Sequence, residues 1–121
     1  MSASLNRKVL GVFGPVLILT GVGGFLLPPA MGLMSQAAPY NVFHIIFGCL
    51  GAALALRGVE GEIAAFNIGF GLIDLYQAVA HWTHLFPEQY FRWTAADDVL
   101  HVVLGLGLAA VGGLALKRPS S

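Results

Sequence analysis

The chain has 121 residues, enough for one domain, of which 57% are hydrophobic and only 10% are charged. Soluble domains carry about 25% charged residues, so this composition excludes an ordinary soluble fold. The formal net charge of zero excludes the basic surface on which nucleic-acid binding depends, and a single cysteine, Cys49, excludes an intrachain disulfide.

Four apolar runs of 17 to 19 residues follow one another along the chain, at Val9–Leu27, Tyr40–Leu56, Ile63–Ala80 and Val99–Leu116. A helix needs roughly 17–25 residues to cross a bilayer core, and backbone groups in lipid must be paired within the segment. The first run exceeds the roughly 7–15 apolar residues of a signal-peptide core, so we expect it to be a retained span. The sequence therefore predicts an all-α, integral membrane four-helix bundle over residues 1–121.

The basic residues indicate how the bundle is oriented. Five of the six lie in segments on one side of the membrane: Arg7, Lys8, Arg57, Lys117 and Arg118. This bias predicts that both termini are cytoplasmic. The loop at 81–98, on the other side, is rich in aromatic residues, which favour the headgroup level of a bilayer. We therefore predict that Pro87–Thr94 forms a short interfacial helix before the fourth span.

The sequence partly matches itself after a shift of 57 residues. The identical pairs are Val42/Val99, His44/His101, Gly48/Gly105, Ala52/Ala109 and Ala53/Ala110. The first half is about 7–63 and the second about 64–120. Each half contains two spans, so both keep the same orientation, as in parallel repeats. The sequence thus predicts two tandem helical hairpins that pair into one bundle.

The repeated segments Asn41-x-x-His44-x-x-x-Gly48 and Asp98-x-x-His101-x-x-x-Gly105 resemble a family of small bacterial four-span membrane proteins catalogued as a domain of unknown function. The resemblance covers about residues 8–116. It implies the four-helix fold, the two histidines and a multi-pass location in the inner (plasma) membrane, or an equivalent energy-transducing membrane, of a bacterium. It implies no established activity.

The two repeated histidines allow two interpretations. In the first, Asn41 and Asp98 are N-cap residues, and the histidine three positions later bonds back to the cap, as glutamate does in a capping box. In the second, the histidines are ligands, and each of their helices carries small residues on the same face.

The small residues are the glycines four positions after each histidine, Gly48 and Gly105. A flat slot beside an axial histidine would suit a haem or chlorophyll-type tetrapyrrole. Close helix packing through small residues explains the same glycines without a cofactor. The identity and presence of a cofactor therefore stay open at this point.

Two further histidines, His81 and His84, follow the third span at a spacing of three residues. On one helical face they could chelate zinc or copper together with His44 or His101. The alternative is that both are exposed to water at the interface.

A polar stripe runs along the third span, because Asn67, Asp74 and His81 recur every seven residues, with Gln77 beside them. Asp74 lies near mid-depth and must face protein or water. It either bonds Gln77 and Thr20, lines a proton or ion path, or contacts another membrane subunit.

No phosphate-binding loop, nucleophilic serine or covalent haem motif is recognisable, and Cys49 is expected to be buried and inert, so we expect no enzyme. We expect a small accessory or structural subunit beside a larger respiratory or photosynthetic complex, with histidines that hold haem or chlorophyll or merely cap helices. The alternatives are a membrane redox or metal-binding protein that uses the outer histidines, and a homo-oligomeric proton or ion transporter that uses the Asp74 stripe. The expected partners are the lipid bilayer and other membrane subunits or copies of the chain, but not nucleic acid.

Overall fold

The structure, a computed structural model, describes residues 4–117, apart from the side chains of Ala30 and Lys117. Its helices are α1 (Leu5–Leu26), a 3₁₀ turn (Pro29–Met31), α2 (Ala38–Arg57), α3 (Glu60–Thr83), α4 (Glu88–Phe91) and α5 (Ala95–Lys117). These residues contain no strand, which confirms the all-α prediction. Arg118, which the orientation argument counted, and the last residues of the second half lie outside the described residues.

Four of these helices, α1, α2, α3 and α5, are long and apolar enough to cross a membrane. This confirms the prediction of four spans and defines a multi-pass membrane protein. Each helix begins two to four residues before the apolar run that predicted it, and α1 ends one residue before its run does.

A capping residue, a proline pair and an arginine define the ends of α1 and α2. α1 begins after Ser4, whose Oγ accepts a hydrogen bond from the Arg7 amide at 3.1 Å, and it ends just before the Pro28–Pro29 pair. The Arg7 guanidinium then donates to the Ala55 and Gly58 carbonyl oxygens, at 2.7 and 2.8 Å. It thereby satisfies carbonyl groups at the C-terminus of α2 and holds the two helix ends together.

The prediction that Asn41 and Asp98 are N-caps is wrong. α5 is capped by Thr94, whose hydroxyl accepts from the Asp97 amide at 3.2 Å, while the Asp97 carboxylate accepts from the Thr94 amide at 2.8 Å. This reciprocal pair is a capping box that starts the helix before Asp98. α2 also begins earlier than predicted, at Ala38, with Pro39 in its first turn.

α1 packs against α2, and α3 against α5, with their backbones almost in contact. A Cβ added to Gly14 would lie 2.7 Å from the Ala52 amide nitrogen. A Cβ added to Gly71, 57 positions later, would likewise lie 2.7 Å from the Ala109 amide nitrogen. Only glycine allows this approach, so small residues set the interhelical distance within each pair.

The two helix pairs meet at an apolar centre. The Phe13 and Phe70 rings make an edge contact, with centroids 5.5 Å apart. Around them lies a buried cluster formed by Leu10, Phe13, Leu17, Ile63, Phe70 and Leu108. Interdigitated side chains of this kind hold a membrane bundle together through van der Waals contact, because lipid supplies little hydrophobic driving force between helices.

Three expectations about the surface change in the structure. Cys49 is exposed on α2, so it is not the buried thiol that its position within a span suggested. α4 is a single turn and thus shorter than the helix predicted over 87–94. Trp93 is buried rather than exposed on the surface of this loop, because it packs in a cluster with Ala37, Tyr40 and Ala80.

Candidate functional site

Buried polar residues gather at the end of the bundle opposite the N-terminus. We call them the outer polar cluster, which comprises Tyr40, His44, Asp74, Gln77, Trp93, Asp97 and His101. Several polar side chains inside an apolar chain are costly, so they need internal partners or a ligand.

Tyr40 is the centre of this cluster. Its hydroxyl donates to Asp97 Oδ1 at 3.0 Å and lies 2.8 Å from His101 Nε2. Tyr40 is fully buried, as is Asp97. The other carboxylate oxygen, Oδ2, accepts from the Ser35 and Thr94 amides, each at 2.8 Å. The cluster therefore joins α2, α5 and the loop before each of them.

These contacts fix the protons. Every partner of Asp97 is a donor, which is the environment of an ionised carboxylate. The Tyr40 hydroxyl donates its hydrogen bond to Asp97, so its oxygen accepts from His101 Nε2. In the neutral imidazole this tautomer leaves a lone pair on Nδ1, and this buried atom has no hydrogen-bond partner among the described residues.

His44 lies on the other side of Tyr40, with ring centroids 4.2 Å apart. It is only 5% exposed, and its Nδ1 is likewise buried without a partner among the described residues. The two repeated histidines therefore both flank the Tyr40 ring and both offer an unpaired Nδ1. No bond to Asn41 or Asp98 is present, so the capping interpretation fails for both histidines.

Asp74 is reached through a second chain of contacts. Trp93 Nε1 donates to Gln77 Oε1 at 3.0 Å, and Gln77 Nε2 approaches Asp74 Oδ1 at 3.5 Å. Asp74 Oδ2 is buried without a partner within residues 4–117. Thr20, which one of the three interpretations paired with Asp74, does not bond it, because its hydroxyl donates to the Val16 carbonyl in its own helix.

The predicted stripe on α3 is interrupted. Asn67 lies towards the other end, where its Nδ2 donates to Asn6 Oδ1 at 2.9 Å. The contact between Phe13 and Phe70 lies between Asn67 and Asp74 along α3. Polar side chains thus occupy two separate zones of the interior, and two phenylalanine rings divide them.

The histidines that follow the third span face different carboxylates. His81 Nδ1 lies 2.8 Å from both oxygens of Asp98, whereas His84 Nδ1 lies 2.9 Å from Glu88. α3 ends at Thr83, and His84 adopts a left-handed conformation, so the two rings do not share a helical face. The part of the chain that the structure describes brings together no group of three metal-ligating side chains.

The flat slot predicted beside each histidine is filled by protein. A Cβ on Gly48 would lie 2.8 Å from the Gly14 carbonyl oxygen, and one on Gly105 would lie 2.8 Å from the Gly71 carbonyl oxygen. Each glycine face is thus closed by the backbone of the neighbouring helix. The close-packing explanation accounts for both glycines, and no tetrapyrrole ring fits between them and that helix.

Sequence reasoning missed the central residues of this site. Tyr40 was read only as the start of a span and Trp93 as an interfacial aromatic. A usable signal was present, because Tyr40 and Asp97 are 57 residues apart and directly precede the two repeated motifs.

A scan of protein-family models, a search of curated proteins and a search of solved structures each give no match for this chain.

Proposed function

We propose that this chain is a small, non-enzymatic integral membrane protein that packs as an accessory subunit beside a larger respiratory or photosynthetic membrane complex. Its buried polar side chains hydrogen-bond within the protein and join the helices, while its outer surface is apolar. That distribution is the observation that carries the proposal. The large side chains exposed along the spans are aliphatic or aromatic, and examples from each helix are Val12, Leu19, Ile46, Leu72 and Val103.

The proposal includes the architecture behind this surface. Two tandem helical hairpins, α1 with α2 and α3 with α5, descend from one duplicated unit, and α4 lies in the membrane interface. The equivalent backbone contacts of Gly14 and Gly71 support the duplication. The exposed rings of Trp82, Phe86 and Tyr90 support an interfacial position for this segment.

Both termini are proposed to be cytoplasmic in the plasma membrane of a bacterium, in the family that the repeated histidine motifs resemble. Arg7 and Arg57 support this orientation, because both lie at the end of the bundle where α1 begins and α5 ends.

Co-purification tests the accessory role. The tagged protein would be extracted from its native membrane in a mild detergent, and the bound proteins identified by mass spectrometry. The expected result is a stoichiometric complex with larger membrane subunits. Cys49 provides a second measurement, because this only cysteine faces outward on α2 and accepts a photo-crosslinker in the intact membrane. A protein that isolates alone, and whose Cys49 crosslinks only to lipid, would contradict the accessory role.

A membrane redox or metal-binding function is the second candidate. One observation favours it, namely that His44 and His101 each hold a buried Nδ1 without a partner among the described residues. A neutral imidazole nitrogen of this kind is a ligand for zinc or copper. His101 would be held in orientation by the Asp97–Tyr40 contact, as outer-shell partners commonly hold metal-bound histidines.

An absorption spectrum and a metal analysis of the gently purified protein test this second function. Bound colour or stoichiometric metal, lost separately in His44→Gln and His101→Gln, would establish ligation. His84→Gln is the matched control, because that ring is exposed and pairs with Glu88. A colourless, metal-free preparation from the native membrane would leave the accessory role without a cofactor.

A further inference from the structure

The two grooves between the helix pairs are equivalent in position but differ in what fills them. Between α2 and α3, three phenylalanines pack with Phe70 and fill the middle of the groove: Phe43, Phe47 and Phe66. A cavity of about 490 Å³ remains at the outer end of this groove, beside Phe43 and Tyr76. The positions 57 residues away, between α1 and α5, are occupied by Leu100, Leu104 and Val9. Smaller side chains at every one of these positions leave the second groove open.

The open groove has a volume of about 670 Å³ and is lined by Val9, Val12 and Val16 of α1 and Val103, Leu104 and Gly107 of α5. A separate cavity of about 680 Å³ lies nearer the outer end, between Leu19, Leu100 and the loop at 31–36. No atom lies within 4 Å of a Cβ added to Gly107, so the floor of the groove is bare.

The groove has a cation at one end. Lys8 lines it where α1 begins, and this side chain is exposed. By contrast, the neighbouring Arg7 is occupied with the carbonyl groups of α2 and with Glu60. An apolar groove that ends at an exposed ammonium matches the two parts of an anionic phospholipid.

We propose that the groove between α1 and α5 holds an acyl chain of an anionic phospholipid whose phosphate pairs with the Lys8 ammonium. The groove opens sideways to the bilayer, so a lipid enters without any movement of the helices. Apart from Lys8, the residues that line it are apolar and offer van der Waals contact to an acyl chain. A basic residue at the membrane surface contributes roughly fivefold to association with anionic lipid, which sets the expected preference.

Native mass spectrometry of the full chain in detergent tests this proposal. The protein would be mixed with either phosphatidylglycerol or phosphatidylcholine of the same acyl composition. The expected result is one retained lipid per chain, with phosphatidylglycerol retained about fivefold better. Lys8→Gln should remove the preference, whereas Arg57→Gln, which changes an exposed basic residue on α2 at the same end, should leave it unchanged.

A second pair of variants tests the groove itself. Gly107→Leu fills the floor and should lower retention of both lipids, whereas Gly69→Leu adds the same side chain to open space on α3 and should not. Equal retention of the two lipids, or retention unchanged in both Lys8→Gln and Gly107→Leu, would overturn the proposal. A stable dimer or partner complex that crosslinks through cysteines placed at Val12 and Val103 would also overturn it, because protein would then occupy the groove.

Discussion

Tyr40 and Asp97 occupy equivalent positions 57 residues apart and hydrogen-bond directly to each other at 3.0 Å. Phe13 and Phe70 form a second contact between equivalent positions, deeper in the bundle. Residues that meet their own counterparts lie at the centre of an arrangement with approximate two-fold symmetry. Of the two contacts, the first is chemically unequal, since a phenol donor faces a carboxylate acceptor. It places a fully buried carboxyl group, that of Asp97, at the outer end of the bundle.

Tyr40→Phe should destabilise the protein by about 1–3 kcal/mol. The substitution keeps the ring but leaves His101 Nε2 buried without its partner and removes one donor from Asp97. Thermal unfolding in mild detergent, followed by tryptophan fluorescence, measures the change. Tyr90→Phe is the matched control and should change the midpoint little, because that ring is half exposed. Equal unfolding midpoints for the two variants would show that the hydroxyl of Tyr40 does not stabilise the fold.

Two glycines on α3 should respond to alanine in opposite directions. Gly71→Ala places a Cβ 2.7 Å from the Ala109 backbone and should separate α3 from α5, at a cost of about 1–3 kcal/mol. Gly69→Ala meets no atom within 4 Å and should gain up to about 1 kcal/mol from helix propensity. The same unfolding assay measures both. A stable Gly71→Ala protein would mean that the helix pair tolerates wider spacing than this geometry implies.

Arg7→Gln should loosen the junction between α1 and α2. The guanidinium satisfies two carbonyl groups at the end of α2, so its loss should cost about 1–3 kcal/mol. Arg57→Gln serves as the control, because that side chain is exposed. Limited proteolysis around Gly58 gives the readout, and faster cleavage is expected in Arg7→Gln alone. Similar cleavage rates in the two variants would argue against the carbonyl contacts.

Replacement of Asp by Asn should change stability differently at the two acidic residues of the outer polar cluster, Asp74 and Asp97. Asp74→Asn should be neutral or mildly stabilising, because Asp74 Oδ2 is buried without a partner in the described chain. Asp97→Asn should cost about 1–3 kcal/mol, because the amide cannot accept from all the donors that surround it. Unfolding midpoints compare the two variants. A larger loss in Asp74→Asn would indicate that Asp74 has a structural partner that this geometry lacks.

Apolar run length was sufficient to predict the helical fold and its four spans, since a bilayer imposes one length and one type of backbone pairing. The internal repeat correctly singled out His44 and His101 as buried, related positions. Their environment could not be predicted, because it depends on Tyr40 and Trp93, whose side chains come from the edges of the apolar runs. The N-cap of α5 was predicted wrongly for a similar reason. Both a Thr94–Asp97 capping box and an Asp98 cap are compatible with the sequence, which alone does not show which of them starts the helix.

The neighbours of each side chain within the bundle were the hardest property to predict from the sequence. The seven-residue spacing placed Asn67 and Asp74 on one side of α3, and both are indeed buried. The spacing could not reveal that Phe13 enters from another helix and separates them. Exposure of Cys49 was missed for the same reason, because the residues of α2 around Cys49 are apolar or small on every side and the sequence does not distinguish lipid from protein neighbours.

The close backbone contacts join helices that are neighbours in the chain, α1 with α2 and α3 with α5. Such contacts need only a short loop to close, so the first pair can assemble while the rest of the chain is still being synthesised. The second pair then adds to an existing surface. We therefore expect the helix pairs to assemble in two steps, α1 with α2 first and α3 with α5 second. A chain divided between Gly58 and Val59 should reassemble when its halves are co-expressed. Only these two residues link α2 to α3, and they lie at the end of the bundle opposite the outer polar cluster.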